Sequence, residues 1–311
     1  MIETKGRSSF LSDEVFKLLM MAIALLVVVI MGGIFFVLFE QSLPAIKKFG
    51  VAFFFADSWN PVTQEFGALS SIYGTLVSTI IALVFAVPLS IGIALFLVEM
   101  VPPWFSRIVA TAIDLLAAIP SIIYGMWGLF VFAPFMADHV QPWLGENLGF
   151  IPLFQGPPMG IGMLTAGIIL AFMVLPFISA MIRSVFEMVP GVMKESAYGI
   201  GSTTWEVTRH MTIPYGVQGI LGACFLGLGR ALGETMAITF VIGNNHSIST
   251  SLFEAGNSIA STLANEFSEA SDTVYLSALM ELGLVLGLIT FIVQIISQIW
   301  LKKISRSTGG K

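Results

Sequence analysis

Residues 220–243 read ILGACFLGLGRALGETMAITFVIG. An apolar run of this length is a candidate for a helix that crosses a bilayer. Its one basic residue, Arg230, stands near the middle, where insertion scales put the cost of an arginine at about 2.5–3.5 kcal/mol. A membrane span with a cation inside it is the feature that any reading of this chain has to explain.

The rest of the chain has the same apolar character. Of 311 residues, 56% are hydrophobic and only 11% are charged, against about 25% charged in a soluble domain. The apolar residues come in long unbroken blocks rather than in the short alternating segments of a transmembrane barrel. The class is therefore a polytopic, all-α membrane protein. Six spans are expected, at about 16–39, 72–98, 108–135, 161–182, 216–241 and 277–301, each long enough for a hydrocarbon core of about 30 Å. The first is too long for the h-region of a signal peptide, and no small-residue cleavage site follows it, so it reads as a retained span.

Basic residues orient the chain. Lys5, Arg7 and Lys17 precede the first span, Arg107 lies between the second and third, and Arg183, Lys194 and Arg209 lie between the fourth and fifth. Lys302, Lys303, Arg306 and Lys311 follow the sixth, while the opposite loops hold only Lys47 and Lys48. By the positive-inside rule both termini are cytoplasmic. Residues 1–15 and 304–311 then form cytoplasmic tails, 16–71 a first span with an outer segment, and 72–303 the core. Within the outer segment, Trp59-Asn60-Pro61 marks a turn. The outer stretch 244–275 carries Glu254, Glu266, Glu269 and Asp272 without a lysine or arginine, and reads as a solvated face.

The inner loop 183–215 has its own punctuation. Pro190-Gly191 marks a turn, Lys194 to Ile200 can form a short helix, and Gly201 interrupts it. Thr203 with Glu206 three residues on fits a capping box, so a second helix starts there. Pro214 is expected to end or bend it. Helices that leave the membrane and return expose faces to a partner, or else form a plain folded connector.

Several chemistries are absent. No G-x-x-x-x-G-K-[ST] occurs, so no P-loop binds nucleotide, and the glycines around Arg230 have the wrong spacing for a dinucleotide loop. His139, His210 and His246 are isolated, and Cys224, the one cysteine, sits in an apolar run. No cofactor, metal or nucleic-acid partner is expected, and no local motif pairs a nucleophile with a base.

Glu195-Ser-Ala-Tyr-Gly-Ile-Gly201, followed by Met211-Thr-Ile-Pro214, resembles the EAA motif of bacterial ABC-importer permeases. It departs from that motif mildly at Ser196, Met211 and Ile213. Residues 70–99 (SSIYGTLVSTIIALVFAVPLSIGIALFLVE), 117–130 (AAIPSIIYGMWGLF), 194–207 (KESAYGIGSTTWEV), 227–236 (GLGRALGETM) and 256–270 (GNSIASTLANEFSEA) each resemble the phosphate importer of that class. The long first span and the PSIIYGMWGLF wording resemble its C-type permease subunit.

The resemblance implies a type I ABC-importer permease fold in the bacterial inner membrane. It also implies a second permease, an ATPase homodimer and a periplasmic phosphate-binding protein as partners, with membrane lipid around the spans. ATP hydrolysis would belong to the ATPase, docked on Glu195, Ser196, Ala197, Gly201, Thr203 and Trp205. The alternatives are a permease for another oxyanion, such as sulfate or molybdate, and a self-sufficient secondary transporter, for which no inverted repeat is visible.

For the pathway, Arg230 and Glu234 are four apart and would share a helix face. Gly229 and Gly233, at the same spacing, would permit close helix approach. Arg230 then meets the anion, oriented by Glu234, or the two form a structural pair. Asp114, about two turns into the third span, is within reach of Arg107 or Arg230. Glu281, near the outer end of the sixth, can line the path or reach water. Pro88, Pro120 and Pro176 are candidate kinks.

Overall fold

The structure is a computed structural model that describes residues 5–308, and the side chains of residues 13–304. The ends of both tails, and the side chains of Lys5, Arg7, Arg306 and Lys311 used in the orientation argument, lie outside the described residues.

Among the described residues, six helices are long and apolar enough to cross a membrane. The first, α1 (Lys5–Phe49), is 45 residues long. At 1.5 Å per residue that is about 68 Å, and it runs on past the expected end near Phe39 and through Pro44. Beyond it, strands β1 (Trp59–Asn60) and β2 (Glu65–Phe66) form a small hairpin with Trp59 opposite Phe66. The expected turn is there, with Asn60 Oδ1 accepting from the Val62 amide at 2.9 Å.

Helix α2 (Leu69–Leu95) contains Pro88 and closes through a wider π-type turn, Phe96–Met100. The third expected span is then corrected. Residues 108–135 are not one helix: α3 (Pro103–Ala117) stops short of Pro120, and a separate helix, α4 (Ser121–Leu148), makes the span. Proline lacks the N–H of the next helical bond and biases the residue before it out of the helical region. The Leu116 carbonyl, which cannot be reached by an N–H from Pro120, accepts from the Ile119 amide at 3.2 Å and from the Tyr124 hydroxyl at 2.9 Å. Helix α3 keeps Trp104, Ile108 and Leu115 exposed and buries Ala110.

Helix α5 (Met163–Glu187) is the centre of the molecule, running through Pro176. Its Ile169, Leu170, Val174, Ile178, Ile182 and Phe186 are fully buried in the main core, which α2, α4 and the fifth long helix complete. After it, α6 (Gly191–Gly199) is followed by Gly201 at φ +90°, a conformation that costs an L-residue about 1–2 kcal/mol. The capping box is present. The Thr203 amide donates to Glu206 Oε2 at 2.8 Å, and the Glu206 amide donates to Thr203 Oγ1 at 3.3 Å.

That cap starts a helix that does not stop at Pro214. Helix α7 runs over Thr204–Leu232, with a π-type bulge at Thr208–Thr212 just ahead of the proline. Pro214 falls in the first turn after the bulge, where a missing N–H costs least. The expected span 216–241 is thus corrected at both ends: the helix begins earlier, at the cap, and breaks at Gly233. A short α8 (Met236–Thr239) follows.

The last elements are α9 (Ile259–Glu266) and α10 (Thr273–Thr308). The start of α10 packs with Phe53, Phe66 and Ile259 in a second core, at the end of the molecule opposite α6. The stretch 244–275 is only partly a solvated face. Asn257, Ser258, Ile259 and Ser261 are buried, and the Ile259 amide donates to Thr75 Oγ1 of α2 at 2.9 Å. Glu266 takes hydrogen bonds from Trp59 Nε1 at 2.5 Å, the Tyr275 hydroxyl at 2.7 Å and His246 Nε2 at 3.1 Å. Burial pushes its carboxyl up, but the bonds from His246, Tyr275 and Trp59 outweigh that and hold it below the usual carboxylate range.

Candidate functional site

Arg230 stands in the last turn of α7. Twenty-six residues separate it from Thr204, about 39 Å along the helix, so it lies toward the end of the span farther from α6 rather than at its middle. A cation there meets the negative end of the helix dipole, worth about 0.3–1 kcal/mol. The guanidinium lies over the Phe177 ring of α5, 5.4 Å from its centroid, and within electrostatic reach of Tyr124 on α4. It is exposed on the isolated chain, and among the described residues no carboxylate pairs with it.

The expected Arg230–Glu234 pair is therefore corrected. The i, i+4 relation requires a continuous helix, and α7 ends at Leu232. Glu234 instead turns onto the next element, its Oε1 accepting from the Ala237 amide at 3.3 Å at the start of α8. The glycines divide as well. A Cβ on Gly229 would come within 2.5 Å of Gln294 Nε2 on α10, so Gly229 does permit close helix approach, whereas Gly233 serves as the end of α7. A helix interrupted inside an apolar segment is tolerated where its freed backbone is buried in protein or lines a water-filled cavity. An exposed arginine at such a break can meet an anion with a planar set of donors that keeps its charge.

The other expected pathway residue is elsewhere. Asp114 sits on α3, outside the spans, and its ion partner is Arg183 of α5 at 3.4 Å, not Arg107 or Arg230. Arg183 also reaches Glu187 at 3.8 Å, and these residues with Arg107 line a cavity of about 420 Å³ under α3. Glu281 does not reach water: it is 3% exposed, and its Oε2 has no hydrogen-bond partner.

At the α6 end, Glu195, Ser196, Gly201, Thr203 and Trp205 are exposed, while Ala197 is 4% exposed and packs inward. Ala197 is thus an anchor of α6 rather than a contact surface. Around the exposed residues stand Val192, Tyr198 and Ile200, the last 85% exposed. An apolar patch rimmed by polar groups marks an interaction surface. Sequence reasoning passed over these three because it followed the motif letters; an isoleucine just before a helix-breaking glycine was the available signal. It also passed over Glu99, the single acid at the end of α2's apolar run, which bonds both Lys194 of α6 and Thr212 of α7.

Six apolar helices, a broken helix carrying an arginine that no carboxylate pairs with, all among the described residues, and a helical excursion with an apolar outer face fit a membrane transport component. A family model for the "Binding-protein-dependent transport system inner membrane component" matches residues 86–309, and the chain belongs to that family. It is a multi-pass inner-membrane protein and a transport component.

The particular relatives are narrower. The chain is 53% identical over 303 residues to the "Phosphate transport system permease protein PstC" of Mesorhizobium japonicum, covering 96% of this chain and 93% of the relative. It is 50% identical over 302 residues to the protein of the same name from Xylella fastidiosa, with the same coverage. Among solved structures it resembles a chain of a bacterial alginate ABC transporter, with a TM-score of 0.63 over 95% of this chain and 98% of that one. At 17% identity that likeness speaks for the permease fold alone.

Proposed function

We propose that this chain is a transmembrane permease subunit of an ATP-driven inorganic phosphate importer, forming the pathway with a second permease. The observation that carries the reading is the near-full-length similarity, at about half identity, to phosphate transport permeases. In this reading both termini and α6 are cytoplasmic, which the distribution of basic residues supports. The exposed face of Glu195, Ser196, Ile200, Gly201, Thr203 and Trp205 docks on an ATPase subunit that supplies the hydrolysis. A periplasmic binding protein delivers phosphate at the opposite end, where the hairpin and α9 lie.

Arg230 is the residue assigned to the anion. Its fork matches phosphate oxygens, and among the described residues it has no carboxylate partner to give up when phosphate arrives. Glu234 acts indirectly, by fixing the start of α8 beside the arginine. Asp114 is left out of the path because it is paired with Arg183 on the surface helix α3.

The test is reconstitution. The chain is assembled in proteoliposomes with the second permease and the ATPase, and the binding protein is added outside. ATP-dependent uptake of radiolabelled phosphate, not competed by sulfate or molybdate, is the expected result. Sulfate or molybdate uptake by the same complex would replace phosphate with another oxyanion, and uptake by the chain alone would overturn the subunit reading.

A further inference from the structure

Helix α6 is joined to the bundle along the chain at its two ends, through residues 188–190 to α5 and through residues 200–203 to α7, and Gly201 at φ +90° makes the second joint a sharp one. Force applied to α6 through these two joints would reach α5 and α7 but not α2 directly. A third attachment stands beside them. Glu99 Oε1, in the final turn of α2, accepts from Lys194 Nζ at 2.6 Å and from Thr212 Oγ1 at 2.9 Å. The Glu99 side chain is 6% exposed and that of Lys194 17%, while Thr212 is fully buried. One carboxylate oxygen thus ties three elements: the excursion helix, the end of a long span, and the bulged start of the span that carries Arg230.

Stability alone is a poor reason for this arrangement. An acid at a helix C-terminus meets the negative end of the dipole. A buried ion pair is often no better than apolar residues of the same volume, because desolvation offsets the attraction. What an ion pair adds is a fixed register between the elements it joins. From Thr212, α7 continues for 18 residues, about 27 Å, to Arg230, so a displacement of Thr212 is carried along a continuous rod to the arginine.

We infer that Glu99 is a positioning residue for energy coupling: with Lys194 and Thr212 it clasps α6 to α2 and α7, so that movement of the docked helix drives both spans together. The inference rests on the proposed importer function. Without the clasp, α6 still docks, but its movement is no longer passed to α2 and to the bulged start of α7 in a fixed register, and ATP is hydrolysed without a matching movement of the spans.

The experiment measures ATP hydrolysed per phosphate taken up by the complete complex in proteoliposomes, with subunit assembly measured on the same preparations. Three variants are compared with wild type: Lys194→Met; the double change Glu99→Gln with Lys194→Met, which leaves no lone buried charge; and the exchange Glu99→Lys with Lys194→Glu, which restores an ion pair. The double variant is expected to assemble and to raise the ratio roughly fivefold, within the range that coupling residues produce. The exchange is expected to bring it back toward wild type. A structural role would lower the yield of complex and leave the ratio unchanged. An assembled double variant with the wild-type ratio overturns this inference alone. A wild-type complex that hydrolyses ATP but carries no phosphate overturns the importer reading, and this inference with it.

Discussion

Arg230 and Glu234, four residues apart in the sequence, do not meet: the arginine lies over the Phe177 ring at 5.4 Å, and the glutamate accepts from the Ala237 amide on the far side of the helix break. A mutual salt bridge would have made the arginine a structural element. Its absence leaves the guanidinium open to a ligand.

Stability follows from the same geometry. Removing one partner of a buried ion pair costs about 3–5 kcal/mol, but Arg230→Gln breaks no such pair. Thermal unfolding of the assembled complex in detergent should shift by no more than the dipole contribution of about 1 kcal/mol. A loss of assembly in Arg230→Gln that Glu234→Gln restores would show that the two residues are paired after all.

Gly201 has open space where a side chain would project, so its requirement is one of backbone alone. Gly201→Val should cost about 1–2 kcal/mol and weaken ATPase docking. Gly201→Asn, which tolerates positive φ better, should keep most of it. Affinity of the ATPase for the membrane complex, measured for both, checks this; equal losses would point to surface contact rather than conformation.

Orientation is open to labelling. Val62, in the hairpin turn, is 92% exposed, and Ile200 is 85% exposed at the other end of the molecule. In a Cys224→Ala background, Val62→Cys should react with an impermeant thiol reagent from outside the cell. Ile200→Cys should react only after the membrane is opened. The reverse pattern would invert the topology.

Glu266 sets a pH limit on the outer cluster. Its folded-state pKa is depressed, so its contribution to stability is present above the unfolded value of about 4.3. That contribution is lost as pH falls through the lower, folded value. The difference in melting temperature between wild type and Glu266→Gln should therefore persist from pH 8 to about 4.5 and close only below. Closure by pH 6 would show that the hydrogen bonds from Trp59, Tyr275 and His246 do not hold the carboxylate.

The parts of this fold that sequence revealed are those with local causes. Long apolar runs gave the existence of six spans, and the Thr203–Glu206 box and Gly201 gave the joint in the excursion. The parts it hid depend on tertiary context. Residues 108–135 are apolar apart from Asp114 and a few small polar residues, so hydropathy does not distinguish a surface helix followed by a span from one span; Pro120 carried the difference. The start of α7 was set by its cap and not by its apolar stretch, which moved Arg230 from the centre of a span to its end. The partners of Asp114 and Glu99 lie 69 to 113 residues away along the chain, and Trp59 lies 207 residues from Glu266, beyond any local pattern. Glu281 looked like a residue at the edge of water because its place among the buried residues of α10 is fixed by packing, not by sequence.

The most direct test of the account is phosphate uptake by assembled Arg230 variants in proteoliposomes. Arg230→Gln should assemble and hydrolyse ATP but lose phosphate uptake. Arg230→Lys, which keeps the charge without the planar fork, should retain part of it. The double change Arg230→Gln with Glu234→Gln should assemble and remain inactive. Full uptake by the Arg230→Gln complex, or by the double variant, would contradict the claim that this arginine meets the transported anion.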